Sequence, residues 1–297
     1  MWKKIKNTPS GDYPAYIIIY GLLIAIVILT LYPLFYVFVG SFMDPYELLR
    51  NGINLDVSTW SLDSYSKIFS NSDIVVGFKN SMIYSFTFAT LSVIITLLFA
   101  YPLTQKELKS RKVINYAMII TMFLGGGLIP TYLLIRNLGM LNSPLAIIIP
   151  GLFNVWNIIL VRTFIKGIPA DLQESAKIDG ASHFIYFFKV LLPLCVPIIA
   201  VIFLYSFVGM WNSYFDAMIY IDDRSLQPLQ LVLRRILIQN EVPPGMIAEQ
   251  QAANQLAMLA EQLKYASIVV SSIPLLIMYP FFQKYFEKGA MVGSIKG

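Results

Sequence analysis

"QESAKIDGASHFIYFFKVLLPLCVP", residues 173–197, is a polar segment with a glycine near its centre that runs directly into an apolar segment. The chain on both sides of it is strongly hydrophobic. Two apolar stretches of membrane-spanning length joined by a polar loop indicate an integral membrane protein.

The composition agrees with a position in a lipid bilayer. Of the 297 residues, 57% are hydrophobic and 13% are charged, whereas soluble domains carry about 25% charged residues. The single cysteine, Cys195, excludes a disulfide framework, and the single histidine, His183, leaves no imidazole cluster for a metal. We therefore expect no metal and no cofactor on this chain.

Apolar stretches close to the roughly 20 residues that a membrane helix needs occur six times. Glycines and prolines fall inside several of them, and membrane helices tolerate these residues where neighbouring groups satisfy the backbone. The sequence therefore predicts six kinked membrane helices packed together, an all-α fold. The predicted spans are residues 16–40, 81–103, 113–135, 145–161, 191–220 and 265–282.

The basic residues predict the orientation. The first span follows Lys3, Lys4 and Lys6 and exceeds the roughly 7 to 15 residues of a signal-peptide core, so we interpret it as an uncleaved anchor. If both termini are cytoplasmic, most of the lysines and arginines lie in cytoplasmic segments, as the positive-inside rule requires. The net charge of +5 then reflects topology and not nucleic-acid binding. The polar segment becomes the cytoplasmic loop between the fourth and fifth spans.

Local signals predict two short helices in that loop. Asp171 is expected as the N-cap of the first helix, with Glu174 as its capping-box partner. Gly180 is expected to end this helix in a left-handed conformation, and Ser182 to cap the second helix. A capped interhelical linker without a partner remains the alternative interpretation.

The spacing in this loop resembles the EAA loop of ABC importer permeases, in which E-A-A, three residues, G, nine residues and I-x-L-P follow one another. Ser175 stands at the first alanine position and Val190 at the isoleucine position, while Gly180 and Pro193 keep the register. In that family the loop forms a coupling helix, here about residues 171–188, that sits in a groove of the ATPase subunit. The resemblance assigns ATPase coupling to Glu174, Ser175, Ala176, Asp179 and Gly180.

Three further segments resemble the carbohydrate branch of type I ABC importers, which includes the maltose permeases: "LYPLFYVFVGSF" (31–42), "WNSYFDAMIY" (211–220) and "YPFFQKYFEKGAMVGSIKG" (279–297). The ending is most similar to permeases for oligosaccharides and polysaccharide fragments such as alginate. The implied parts are an anchor helix with the first external loop (1–72), the transmembrane domain (73–285) and a cytoplasmic tail (286–297).

The resemblance also implies an assembly in the bacterial cytoplasmic membrane. A second, homologous permease, two ATPase subunits and an extracytoplasmic sugar-binding protein would be the partners. The chain contains no G-x-x-x-x-G-K-[ST] loop, and Gly125–Gly127 lies in an apolar run without lysine. ATP and Mg are therefore expected on the partner ATPase chains, and this chain is expected to be a transport subunit with no catalytic residues.

The fifth span carries the predicted sugar path. Counting from Pro193 at about 1.5 Å per residue places Trp211 and Asn212 in the outer half of the bilayer, with Asp216 on the same face as Asn212. Polar groups at that depth are costly in lipid, so this face is expected to border a cavity or another helix. An aromatic belt at the membrane interface is the alternative. The predicted path residues are Trp211, Asn212, Tyr214 and Asp216.

The segments 41–80 and 221–264 are long enough to contact a binding protein, and Arg234 and Arg235 are candidates for attracting an acidic ligand or partner.

Other function classes stay open. An ABC permease for a different small solute would share these motifs. An intramembrane enzyme would need a nucleophile, metal ligands or an acid/base pair, and Asp216 is the one acid within a predicted span. A receptor or scaffold would lack neighbouring genes for an ATPase and a sugar-binding protein.

Overall fold

The computed structural model describes residues 13–239 and 250–294, and all regular structure in these two ranges is helical. The all-α class predicted from the sequence is therefore confirmed. The α-helices are α1 Tyr13–Gly40, α2 Pro45–Asn51, α3 Asp63–Ser70, α4 Ser72–Ala100, α5 Arg111–Phe123, α6 Leu128–Asn137, α7 Leu145–Ile148, α8 Val155–Lys166, α9 Asp171–Ile178, α10 His183–Tyr186, α11 Leu192–Leu194, α12 Val196–Trp211, α13 Phe215–Tyr220, α14 Leu229–Gln239 and α15 Gln250–Ser294.

Three of the described helices are long and apolar enough to cross a membrane, over Ala15–Gly40, Ser72–Thr104 and Leu263–Tyr285. Two bent helix pairs give at most two further spans, if each pair crosses the membrane as one span. Helices α5 and α6 meet at 113°, and the segment His183–Leu194 meets α12 at 75°. The kinks expected from the sequence are thus present. The count of six spans stays a prediction.

The breaks between helices fall at residues that interrupt the backbone hydrogen-bond ladder. The fourth predicted span, 145–161, is divided into α7 and α8 around Pro150 and Gly151. The fifth, 191–220, is divided into α11, α12 and α13. Pro193 and Pro197 flank the first of these breaks and supply no backbone N–H.

The chain divides into two compact units, of which the first comprises Met1–Ser70 and Leu237–Val270. Its hydrophobic core is formed by Val39, Met43 and Leu48, which are almost completely buried. The absence of a side chain at position 40 lets Leu48 and Tyr265 come close to α1. The partly buried residues that pack on this core are Tyr36, Ile53, Trp60 and Tyr265.

The second unit comprises Asn71–Ile236 and Ser271–Gly297 and is organised around α4. Helix α12 packs along α4, and the Ser206 hydroxyl donates a buried 3.1 Å hydrogen bond to the Ser92 hydroxyl between them. Near the start of α4, the Leu229 N–H donates to the Ser81 hydroxyl at 2.8 Å. Gly77 makes this approach possible, because a Cβ there would lie 3.2 Å from the Leu229 backbone nitrogen.

Candidate functional site: the 171–183 loop and a polar cavity

Helix α9 begins one residue earlier than the sequence predicted. Its N-cap is Ala170, which already has helical backbone angles, and no side chain caps this end. Asp171 therefore occupies the first helical position, and its predicted role as N-cap is wrong. Its carboxylate, like that of Glu174 in the same turn, still lies near the positive end of the helix dipole.

The other end of α9 has the conformation that the sequence predicted. Gly180 has a φ of +76°, its N–H donates to the Lys177 carbonyl at 3.0 Å, and the Ala181 N–H donates to the Ala176 carbonyl at 2.9 Å. These two bonds form a Schellman motif, which satisfies carbonyls at the helix end. The Ser182 hydroxyl then accepts from the Ile185 N–H at 3.3 Å, so its predicted role as cap of α10 is confirmed.

The predicted coupling residues lie on one exposed segment. Glu174, Ser175, Asp179 and Gly180 are exposed, whereas Ala176 is partly buried and packs on the core of the second unit. The side chain of Ile178 is 86% exposed. Helix α9 therefore presents both polar groups and an uncovered apolar group, while its inner side is held by the small residue Ala176.

Two polar side chains of α9, those of Gln173 and Lys177, contact the segment that follows α4. The side-chain amide of Gln173 donates to the side-chain oxygen Oε1 of Gln105 at 2.6 Å, and Lys177 Nζ lies 2.6 Å from Glu107 Oε1. The hydrogen bond from Lys177 holds the pKa of the Glu107 carboxyl below its ordinary value. Because a lowered pKa keeps a carboxyl ionised until the solution is more acidic, the Glu107 carboxylate stays charged to a lower pH than an unpaired glutamate would.

A polar cavity of about 390 Å³ lies within the second unit, between α4, α6, α7, α8, α12 and α13. Hydroxyls, amides and a carboxylate share its wall with aromatic rings, and no lysine, arginine or histidine is among the described residues that line it. Such a wall suits a ligand with many hydroxyl groups and some apolar faces. The cavity is lined by Phe88, Ser92, Thr131, Ala146, Ile147, Pro150, Gly151, Asn154, Asn157, Tyr205, Ser206, Gly209, Met210, Ser213, Asp216 and Tyr220.

The helix breaks turn polar side chains toward this cavity. Asn154 follows the break after α7, and its side-chain oxygen caps α8 by accepting from the Asn157 N–H at 3.1 Å. Ser213 lies in the break between α12 and α13, and Asp216 lies in the first turn of α13. The interruptions therefore contribute part of the polarity of the site, beside polar residues within unbroken helices such as Ser92 and Asn157.

The four predicted path residues occupy different places. Asp216 lines the cavity. Trp211 is completely buried and donates from Nε1 to the Ser271 carbonyl at 3.0 Å, while Asn212 is exposed at the end of α12. The Tyr214 ring lies 5.2 Å below the Arg234 guanidinium. Of these residues, the structure brings Asp216 alone to the described cavity wall.

Arg234 and Arg235, the two candidates for attracting an acidic ligand or partner, differ in their surroundings. Arg235 forms a 2.7 Å ion pair with Asp73 and also donates to the side-chain oxygen Oε1 of Gln227. Arg234 lies over Tyr214 and approaches the Met218 sulfur at 3.1 Å. The charge of Arg235 is therefore neutralised by Asp73, within the part of the chain that the structure describes.

Several cavity residues were not selected from the sequence. Asn154 and Asn157 fall inside the fourth predicted span, and Ser92 and Ser206 fall inside the second and fifth. Amide side chains within an apolar run were the available signal, because such groups are costly in lipid and mark an internal surface. The serines carried no comparable signal, since a serine can bond to its own helix backbone.

Comparison with known proteins agrees with this architecture. Residues 81–292 match the family described as "Binding-protein-dependent transport system inner membrane component". The "Polygalacturonan/rhamnogalacturonan transport system permease protein YtcP" of Bacillus subtilis is 38% identical, over 94% of this chain and 97% of that protein. "Protein LplC" of the same organism is 36% identical, over 91% of this chain and 90% of that protein.

Two solved structures are similar. A bacterial ABC transporter involved in the import of the acidic polysaccharide alginate aligns with a TM-score of 0.83 and 30% identity, over 94% of this chain and 99% of that chain. A second, of an alginate ABC transporter in complex with an alginate pentasaccharide-bound periplasmic protein, has a TM-score of 0.57 and 15% identity, and shows the same fold. The chain belongs to the binding-protein-dependent transport system inner membrane component family. It is a membrane-spanning ABC transporter permease subunit and not an enzyme.

Proposed function

We propose that this chain is the permease subunit of an ATP-driven importer of oligosaccharides and forms part of the sugar path. The observation that carries the proposal is the polar cavity, whose hydroxyls, amides and aromatic rings suit a carbohydrate. The names of the relatives support it, since YtcP is a polygalacturonan/rhamnogalacturonan permease and the similar solved structure belongs to an alginate importer. Alginate itself is one candidate sugar within this class.

The proposed assembly contains a second, homologous permease, two ATPase subunits that bind ATP and Mg, and an extracytoplasmic sugar-binding protein. The complex lies in the bacterial cytoplasmic membrane with both termini of this chain cytoplasmic. Exposed residues of α9 and of the turn that follows it, from Glu174 to Gly180, contact an ATPase subunit in this arrangement. The Schellman end of α9 and the uncovered Ile178 side chain support that contact, because both present a defined surface to solvent.

The test compares two polar residues that are close in sequence and differ in position. Both residues are exposed, but Asp216 lines the cavity and Asn212 does not. In the assembled complex, reconstituted into vesicles with binding protein, Asp216→Ala should lower oligosaccharide uptake by about tenfold, the loss expected when a charged group loses hydrogen bonds to a ligand.

Asn212→Ala is the matched control and should retain most of the uptake. Basal ATP hydrolysis and subunit assembly should be unchanged in both variants. Neither Asn212 nor Asp216 belongs to α9 or to the residues described above as its contacts. Equal uptake by Asp216→Ala and the wild type would remove this cavity from the sugar path. A wild-type complex that takes up other small solutes and no oligosaccharide would overturn the proposed substrate class.

A further inference from the structure

We infer that the segment from Tyr101 to Glu107, at the end of α4, moves as one body with α9 and carries its displacement to the cavity. The inference rests on the proposed coupling role of α9 and assigns positioning roles to residues outside the EAA-like spacing. These residues are Gln105 and Glu107 in the segment, and Gln173 and Lys177 on the helix.

The two contacts are placed so that they control both the rotation and the sliding of α9. Gln173 and Lys177 are four residues apart and therefore share one face of the helix. Their partners, Gln105 and Glu107, lie two residues apart in the segment after α4. A single contact could act as a pivot. Two contacts separated by one helical turn, about 5.4 Å, fix the direction of α9 relative to that segment.

The side-chain oxygen of Gln105, which accepts from Gln173, is oriented by a second hydrogen bond of the Gln105 side chain. The side chain of Gln105 is only 9% exposed, and its own amide nitrogen donates to the Thr104 hydroxyl at 3.1 Å. Its carbonyl oxygen is thereby left for the Gln173 amide. Separation of the two side chains would leave polar groups unpaired at a largely buried position, which is costly.

A third contact ties the second helix of the loop to the same segment. The Tyr101 hydroxyl lies 3.0 Å from His183 Nδ1, at the start of α10, and the Tyr101 ring packs 5.2 Å from that of Phe187. Tyr101 is itself almost completely buried. Both helices on either side of Gly180 are therefore attached to residues 101–107.

Two helices lead from this loop to the cavity wall: α4, reached through residues 101–107, and α8, reached through residues 167–170 and ending near Asn157. From α9 back along the chain, the path to the cavity turns at Gly167–Ala170, and forward along the chain it passes the 75° bend at Cys195. Helix α4 runs without interruption from residue 100 to Phe88 and Ser92 in the cavity wall. An unbroken helix transmits an axial or lateral displacement with less internal deformation than a bent one.

The first test exchanges the charges of the exposed ion pair in the complete transporter in vesicles, with sugar imported per ATP hydrolysed as the readout. Glu107→Lys and Lys177→Glu should each lower this ratio by about two- to fivefold, since an exposed pair makes a modest contribution. The double exchange should restore it. Lys109→Glu is the control, because Lys109 forms no ion pair or hydrogen bond with α9 among the described residues and its replacement carries the same charge change as Lys177→Glu. An unchanged ratio in the single variants, or no recovery in the double variant, would overturn the inference.

The second test links the two segments covalently. With Gln105→Cys and Gln173→Cys joined by a short, reducible dithiol reagent, the transporter should keep its uptake, because the two segments already move together. Loss of uptake on linking, with recovery on reduction, would show that they move relative to each other and would overturn the inference. Cys195 is completely buried and should not react. A failure of the proposed function would instead appear in the wild-type complex, which would import no sugar.

Discussion

At the residue scale, Gly180 shows how one backbone conformation shapes the loop. Its φ of +76° closes the Schellman motif and turns the chain toward Ser182, which starts α10. No atom lies within 4 Å of the position that a Cβ would take. The requirement for glycine is therefore one of backbone conformation and not of space.

Replacement of Gly180 separates these two requirements. Gly180→Val should destabilise the turn by about 1 kcal/mol or more, because a β-branched residue disfavours a left-handed backbone. Sugar uptake should then fail while the complex still assembles, measured together with ATP hydrolysis. Gly180→Asn, which tolerates positive φ, should retain most of the uptake. Wild-type rates of hydrolysis and uptake in Gly180→Val would contradict the coupling assignment.

At the element scale, the interruptions of the membrane helices do two things. They bend the apolar segments, by 113° between α5 and α6, and they bring polar residues such as Asn154 and Ser213 to the cavity wall. Gly127, at the start of α6, has φ +80° and ψ 179°. This combination is nearly restricted to glycine, so the bend depends on one residue of the triple glycine.

Two alanine substitutions test that dependence. Gly127→Ala should destabilise the protein by about 1–3 kcal/mol, the usual penalty for a side chain in this backbone region. Gly126→Ala should be nearly neutral, because a Cβ there would meet the Pro130 Cβ at 3.7 Å, an ordinary contact. Thermal unfolding of the purified complex in detergent measures the difference. Equal unfolding temperatures for the two variants would contradict the assignment of the bend to Gly127.

At the scale of the whole molecule, the described residues include the polar cavity and the exposed loop, linked in the proposed coupling by α4, and both suit a protein that works within an assembly. Helix α15 runs as far as Ser294, and residues 295–297 lie outside the described ranges. The sequence prediction for the tail, residues 286–297, therefore concerns an end whose side chains are not described. We expect this tail to contact the ATPase pair, as the resemblance to the maltose permeases implies.

Cysteine cross-linking in the assembled complex tests the tail and the orientation together. Ser294→Cys should cross-link to an ATPase subunit in at least one nucleotide state, because the tail is expected on the cytoplasmic side. Thr59→Cys, in the segment expected on the opposite side, is the control and should form no such link. No cross-link from position 294 in any nucleotide state would leave the tail without this role, and a cross-link from position 59 would reverse the orientation.

The sequence by itself determined the features that depend on near neighbours: the apolar helices, the left-handed end of α9 at Gly180 and the cap at Ser182. Its one-residue error at Asp171 belongs to the same local level, since Ala170 had no side-chain signal of a cap. The tertiary structure alone decided which side chains face the cavity. Trp211 is buried in packed helices, whereas Asp216, five residues later, lines the site. The physical reason is that the cavity wall combines residues far apart in the chain, as in the Ser92–Ser206 bond across 114 positions, and packing free energy at such distances leaves no local pattern.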